Sequence, residues 1–136
     1  MTGLLIVGGA VVLALAFGLY RRATDGRARA VATATRLTAG DLGADLGDRA
    51  TFVQFSTAVC APCRTTRAVL GAVAAGNDDV VHVDVDAESR LELVVRFDVT
   101  RMPTVLVLDG DGVVRHRIVG APRRADVLGA LAALAA

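Results

Sequence analysis

Three observations predict an α/β fold: a mixed central sheet flanked by helices, preceded by a single N-terminal transmembrane helix. Leu4 to Tyr20 is an uncharged, almost wholly apolar run closed by Arg21-Arg22. Beyond it, apolar segments follow one another in the order β-α-β-α-β-β-α, which implies parallel pairing through a crossover and then a hairpin. Both cysteines fall in one tetrapeptide, Cys60-Ala61-Pro62-Cys63, where the first of these strands meets the helix after it. A length of 136 residues leaves room for one domain and an appendage, and an apolar share of 54% is high enough to place part of the chain in lipid. The net charge of +1 gives no sign of a nucleic-acid partner. Two cysteines cannot build a disulfide-rich scaffold, so the core is an ordinary apolar one.

The apolar run, as a helix rising about 1.5 Å per residue, reaches roughly 25 Å, near the lower limit for a bilayer core. Tyr20 suits the interface and the two arginines the headgroups. A cleaved signal peptide is the first alternative, but Met1-Thr2-Gly3 lacks the usual positive side chain. A buried core helix is the second. Arg21, Arg22, Arg27, Arg29 and Arg36 all follow the run and none precedes it, which predicts the N-terminus outside and the rest of the chain on the cytoplasmic face of the cell membrane. An extracytoplasmic domain is the alternative. The division expected is a transmembrane anchor at 1–22, a juxtamembrane linker at 23–36 and a folded domain at 37–136.

Within that domain, Asp41 to Gly47 carries leucines at 42 and 46 and reads as a short helix. Thr51 to Ser56 is β-branched and aromatic and reads as a strand leading into the cysteines. The helix from about Cys60 to Ala75 carries Val69, Leu70 and Val73 on one face and is stopped by Gly76-Asn77. Val80 to Val85 is a second strand, with Asp86 placed to cap a helix over Glu88 to Val95. Thr104 to Leu108 and Val113 to Val119 flank the turn Asp109-Gly110-Asp111-Gly112 as a hairpin. Pro122 opens a last helix with Val127, Leu128, Leu131 and Leu134 on one face.

The chemistry is expected at the two cysteines. A C-x-x-C pair at a helix start closes a small disulfide ring, and the free N–H groups and the helix dipole there favour a thiolate, so Cys60 reads as the nucleophile. Pro62 suits the position because its φ is already helical. Arg64 and Arg67, on the same helix, would favour the thiolate further. Zinc held by both thiolates with His82 and His116 is a competing reading, but the spacings match no finger or ribbon, and neither a metal nor a cofactor is expected.

From about Leu37 to Ala136 the chain resembles the thioredoxin family, which implies a thioredoxin-like fold. The carriers are Cys60-Ala61-Pro62-Cys63 directly after Phe52-Val53-Gln54-Phe55, and Met102-Pro103-Thr104 before the third strand, with Val85-Asp86, Gly112 and Gly120 in support. The resemblance implies that Pro103 is cis and faces the cysteines, leaving the Met102 backbone to pair with an incoming substrate strand. Val59, Pro62, Met102 and Pro103 would then form the docking surface. Val59 stands where the family commonly has tryptophan, Ala61 where it more usually has glycine, Gln54 where it has a buried aspartate that moves the second cysteine's proton, and His82 where it has a lysine. Glutamine cannot take a proton; His82, whose imidazole could titrate near neutral pH, is a hypothetical substitute for part of that handling, set against the leading reading of an ordinary strand histidine with a satisfied ring. The activity implied is thiol–disulfide exchange, most simply reduction of protein disulfides by a monomer that an upstream reductase recharges. The competing readings are a non-catalytic interaction module with a structural disulfide and an oxidant facing outward.

Overall fold

The computed structural model describes residues 1–32 and 35–135. Helix α1, Thr2–Thr24, holds the apolar run and buries none of its residues. Its mean hydropathy of 2.3 and length of 23 residues make it a candidate membrane span. After it come β1 Ala28–Ala30, α2 Ala39–Leu42, β2 Ala50–Ser56, α3 Ala61–Ala75, β3 Val80–Asp86, α4 Leu91–Arg96, β4 Thr104–Asp109, β5 Val114–Val119 and α5 Arg124–Leu134.

The five strands form one mixed sheet in the order β1-β5-β4-β2-β3. Only β2 and β3 run parallel, because α3 carries the chain back across the sheet between them. Alternation along β2 divides the core. Ala50 and Phe52 face a layer with Leu70 and Val73 of α3 and Val127 and Leu131 of α5, and Val53 and Phe55 face Leu93 and Phe97 on the opposite side. Strand β2, between β4 and β3, is buried along its whole length, which fixes its register against both neighbours. Asp109 shapes the hairpin by accepting at Oδ1 from the N–H groups of Asp111 and Val113, both at 3.0 Å.

Several expectations shift. The stretch 23–36, expected as a linker, supplies β1, which pairs antiparallel with β5. Three residues without apolar periodicity carry no strand signal of their own, and their partner lies some ninety residues away, about the separation of Ala28 from Ile118. The short helix lies at Ala39–Leu42, ahead of the expected Asp41 to Gly47, because Thr38 and Asp41 form a capping box that starts it earlier. Asp86 accepts from Glu88 N–H and Ser89 Oγ within a turn, so α4 starts only at Leu91. In α5, Val127 and Leu131 are buried with Ala130, while Leu128 points outward. The helix itself begins two residues after Pro122.

Candidate active site

Strand β2 aims the chain at the sheet's carboxyl edge, and α3 begins there immediately. Cys60 is the N-cap residue of α3, and its sulfur accepts a hydrogen bond from Cys63 N–H at 3.2 Å. This places Cys60 Sγ at the positive end of a 15-residue helix, where negative charge on sulfur is favoured. Cys60 and Cys63 are joined as a disulfide, with sulfurs 2.00 Å apart. They are unequal in access. Cys63 is 1% exposed, whereas Cys60 is partly open to solvent. Pro62 lies in the first turn of α3, exposed, and its carbonyl accepts from Thr66 Oγ1 at 2.9 Å.

The Met102–Pro103 bond is cis, as the resemblance implied. Pro103 is buried, and its carbonyl accepts from Gly120 N–H at 2.8 Å. Among the described residues no backbone hydrogen bond engages Met102. Pro62, Met102 and Pro103 line one open cleft. Val59, next to Cys60, is 97% exposed. Three of the four expected docking residues thus share one cleft, and Val59 stands outside it as an exposed apolar side chain next to Cys60 in sequence.

Beneath the cysteines, Gln54 is fully buried. Its Nε2 donates to the backbone carbonyl of Cys63 at 2.9 Å, and its Oε1 lies 3.0 Å from His82 Nε2. Since the amide oxygen accepts, the imidazole donates from Nε2. Burial lowers the His82 pKa below 6.5; nearby Asp84 opposes the shift and Arg67 adds to it. The network reaches Cys63 at its carbonyl, with Gln54 interposed between His82 and the helix.

Arg67 has a different role from the one expected. Its guanidinium binds Asp84 at 2.6 Å through Nε and 2.5 Å through Nη2, and Asp84 also accepts from Ser56 Oγ. The charge expected to favour the thiolate is thus committed to β3. Arg64 is exposed on α3.

The zinc set is not assembled. His82, Phe52, Val107 and His116 occupy one row across four strands, which sets the two histidines about 14 Å apart at roughly 4.8 Å per strand. A bidentate pair closes the end of α1, where Arg101 donates to both carboxylate oxygens of Asp25 at 2.8 and 2.7 Å; no local pattern announces it. The two residues are 76 positions apart, so only the folded chain brings them together.

A βαβ unit, a hairpin and a closing helix, with a C-x-x-C pair at the start of α3 opposite a cis-proline, define a domain of the thioredoxin-like disulfide oxidoreductase class. The thioredoxin family model matches residues 39–133. Thioredoxin domain-containing protein 8 of Mus musculus is 34% identical over 64 residues, 47% of this chain and 50% of that protein. The thioredoxin of Echinococcus granulosus is 31% identical over 75 residues, 55% of this chain and 69% of that one. The crystal structure of a thioredoxin from Nicotiana alata superposes with a TM-score of 0.55 at 28% identity, covering 63% of this chain and 73% of its own. The match thus spans half the length of the mouse relative. The chain belongs to the thioredoxin family.

Proposed function

We propose that the protein is a membrane-anchored thiol–disulfide oxidoreductase that reduces disulfides in other proteins. One observation carries the reading: an accessible Cys60 at a helix N-terminus is paired with a shielded Cys63 beside the Met102–Pro103 wall. In this reading Cys60 thiolate attacks a substrate disulfide, breaking its S–S bond and releasing one thiolate. Cys63, once deprotonated, displaces the second substrate thiol from the mixed disulfide, and the Cys60–Cys63 disulfide closes. The two electrons come from the dithiol, which an upstream reductase restores. Substrate docks in extended form on Val59, Pro62, Met102 and Pro103, pairing with the Met102 backbone.

Gln54 cannot accept the Cys63 proton, so His82 acting through water takes part of that role. Loss of pH dependence in the exchange rate of His82→Ala would support this; an unchanged profile would dismiss it. The anchor is α1, the domain lies on the cytoplasmic face, and the chain works as a monomer. The five arginines from Arg21 to Arg36 support that placement. A compartment that keeps thiols reduced fits a reductant.

The test is the reduction potential of the Cys60–Cys63 pair, equilibrated against glutathione and dithiothreitol buffers. A value near or below about −250 mV is expected of a reductant, and one near −120 mV would mark an outward-facing oxidant instead. Absence of any redox titration would leave an interaction module with a structural disulfide.

A further inference from the structure

The cleft beside the cysteines has two walls from opposite ends of the sequence. Pro62, Met102 and Pro103 form one, and Gly18, Arg21 and Arg22, at the end of α1, form the other. The cleft is open and holds about 560 Å³. From Gly18 to Arg22 the helix advances about 6 Å, close to the thickness of one headgroup layer, roughly 5–8 Å. With Tyr20 at the interface, the docking face of the cysteine pair lies at headgroup depth.

Short contacts tie the end of α1 to the domain. Arg101, bound bidentately to Asp25, is the residue before Met102. Gly26 N–H donates to Val119 carbonyl, and the next residue, Gly120, donates to Pro103 carbonyl, both at 2.8 Å. Two short connections therefore run from the end of α1 to the cis-proline wall. Gly26 makes the turn at φ 75°, where a Cβ would meet the Ala121 carbonyl, and the chain then enters β1 within two residues. The charges facing the cleft suit an anionic surface: Arg21, Arg22 and Arg123 line it beside the mutually neutralised Asp25–Arg101 pair. A second cavity at the same helix end adds Arg27, Arg29 and Arg117.

We infer that the cysteine pair is held against the membrane and selects disulfides carried at the bilayer surface by membrane-bound polypeptides, with globular soluble proteins kept out by the bilayer itself. This deepens the oxidoreductase reading and rests on it, and on α1 as the anchor. The reaction is one exchange: a substrate disulfide gains two electrons and becomes two thiols as the Cys60–Cys63 dithiol becomes the disulfide.

The experiment uses the full chain, reduced, in vesicles of phosphatidylcholine and phosphatidylglycerol with the domain outward, in single turnover. A second variant carries ten Gly/Ser residues inserted between Thr24 and Asp25, which gives a reach of about 17 Å and leaves the Asp25–Arg101 pair within the domain. Hydroxyethyl disulfide is expected to react equally with both. Insulin is expected to react at least about tenfold faster with the insertion variant, because the blocked orientation is released. A disulfide peptide anchored in the same vesicle is expected to react about a hundredfold faster than the free peptide, from its effective concentration alone, and to lose part of that advantage with the insertion.

Equal insulin rates for the two chains overturn the inference, as does failure of the full chain to float with vesicles. A preference for soluble acidic peptides that the insertion leaves intact also overturns it and assigns the arginines to substrate charge. If hydroxyethyl disulfide is not reduced by either chain, the oxidoreductase reading fails and the inference falls with it, a result distinct from the others.

Discussion

Gln54 holds the backbone carbonyl of Cys63 with its side-chain amide at 2.9 Å, from a position with no solvent exposure. A neutral amide thus occupies the ground beneath the cysteines, and it is satisfied on both sides, by a carbonyl and by an imidazole. Replacing it with leucine leaves the Cys63 carbonyl and the His82 ring nitrogen without these partners. The His82 ring is only partly buried and the Cys63 carbonyl lies within the hydrogen-bonded turns of α3, so the expected loss is about 1–3 kcal/mol in total. Denaturant unfolding of Gln54→Leu against the parent checks it, and an unchanged midpoint would mean that water fills both roles.

His82 makes stability depend on pH. Its folded pKa lies below 6.5, chiefly through burial, so between the two values the unfolded chain binds more protons than the folded one. The stabilisation is fully present above the unfolded pKa and falls as pH drops through 6.5 toward the folded value. Unfolding midpoints at pH 7.5 and 5 are expected to differ in that direction. His82→Phe, which cannot titrate, is expected to flatten this part of the profile.

Unequal access of the cysteines predicts unequal consequences of removing them. With Cys63→Ser, the accessible Cys60 still attacks but nothing resolves the product, so a mixed disulfide with substrate accumulates and is visible on a non-reducing gel. With Cys60→Ser, the remaining sulfur is shielded, and no adduct is expected. Adducts of equal yield from both variants would remove the distinction between attacking and resolving sulfur.

Gly26→Ala tests the turn between α1 and β1. Its φ of 75° belongs to the left-handed region and the new Cβ meets the Ala121 carbonyl. Conformation alone costs about 1–2 kcal/mol, and the collision adds to it. Faster amide exchange at Gly26 and in β1 is expected, with the deep core of β2 unchanged.

The readable parts of the sequence were those whose signal is local. Cys60 to Cys63, the strand before them and the proline at 103 each declare themselves within a few residues, and the hairpin turn at Asp109 to Gly112 does the same. Departures at Gln54 and His82 were legible as substitutions, while their mutual hydrogen bond was not, since they lie on different strands 28 positions apart. Arg67 illustrates the limit well. Helical spacing places it near the cysteines, but Asp84 on β3 holds its guanidinium. β1 and the Asp25–Arg101 pair left no trace in the sequence because each is defined by a partner far along the chain.

β1 has a further consequence for handling the protein. Its residues meet Ile118, Arg117 and His116 of β5, and beyond it Val31 N–H donates to Arg115 carbonyl and Val114 N–H to Thr35 carbonyl. Together they cover the outer side of β5. A fragment begun at Leu37, the domain boundary that composition suggests, would strip that cover and present a row of unpaired backbone groups as a template for a second chain. Such a fragment is expected to self-associate, whereas one begun at Asp25 keeps its edge closed and can be studied free of lipid.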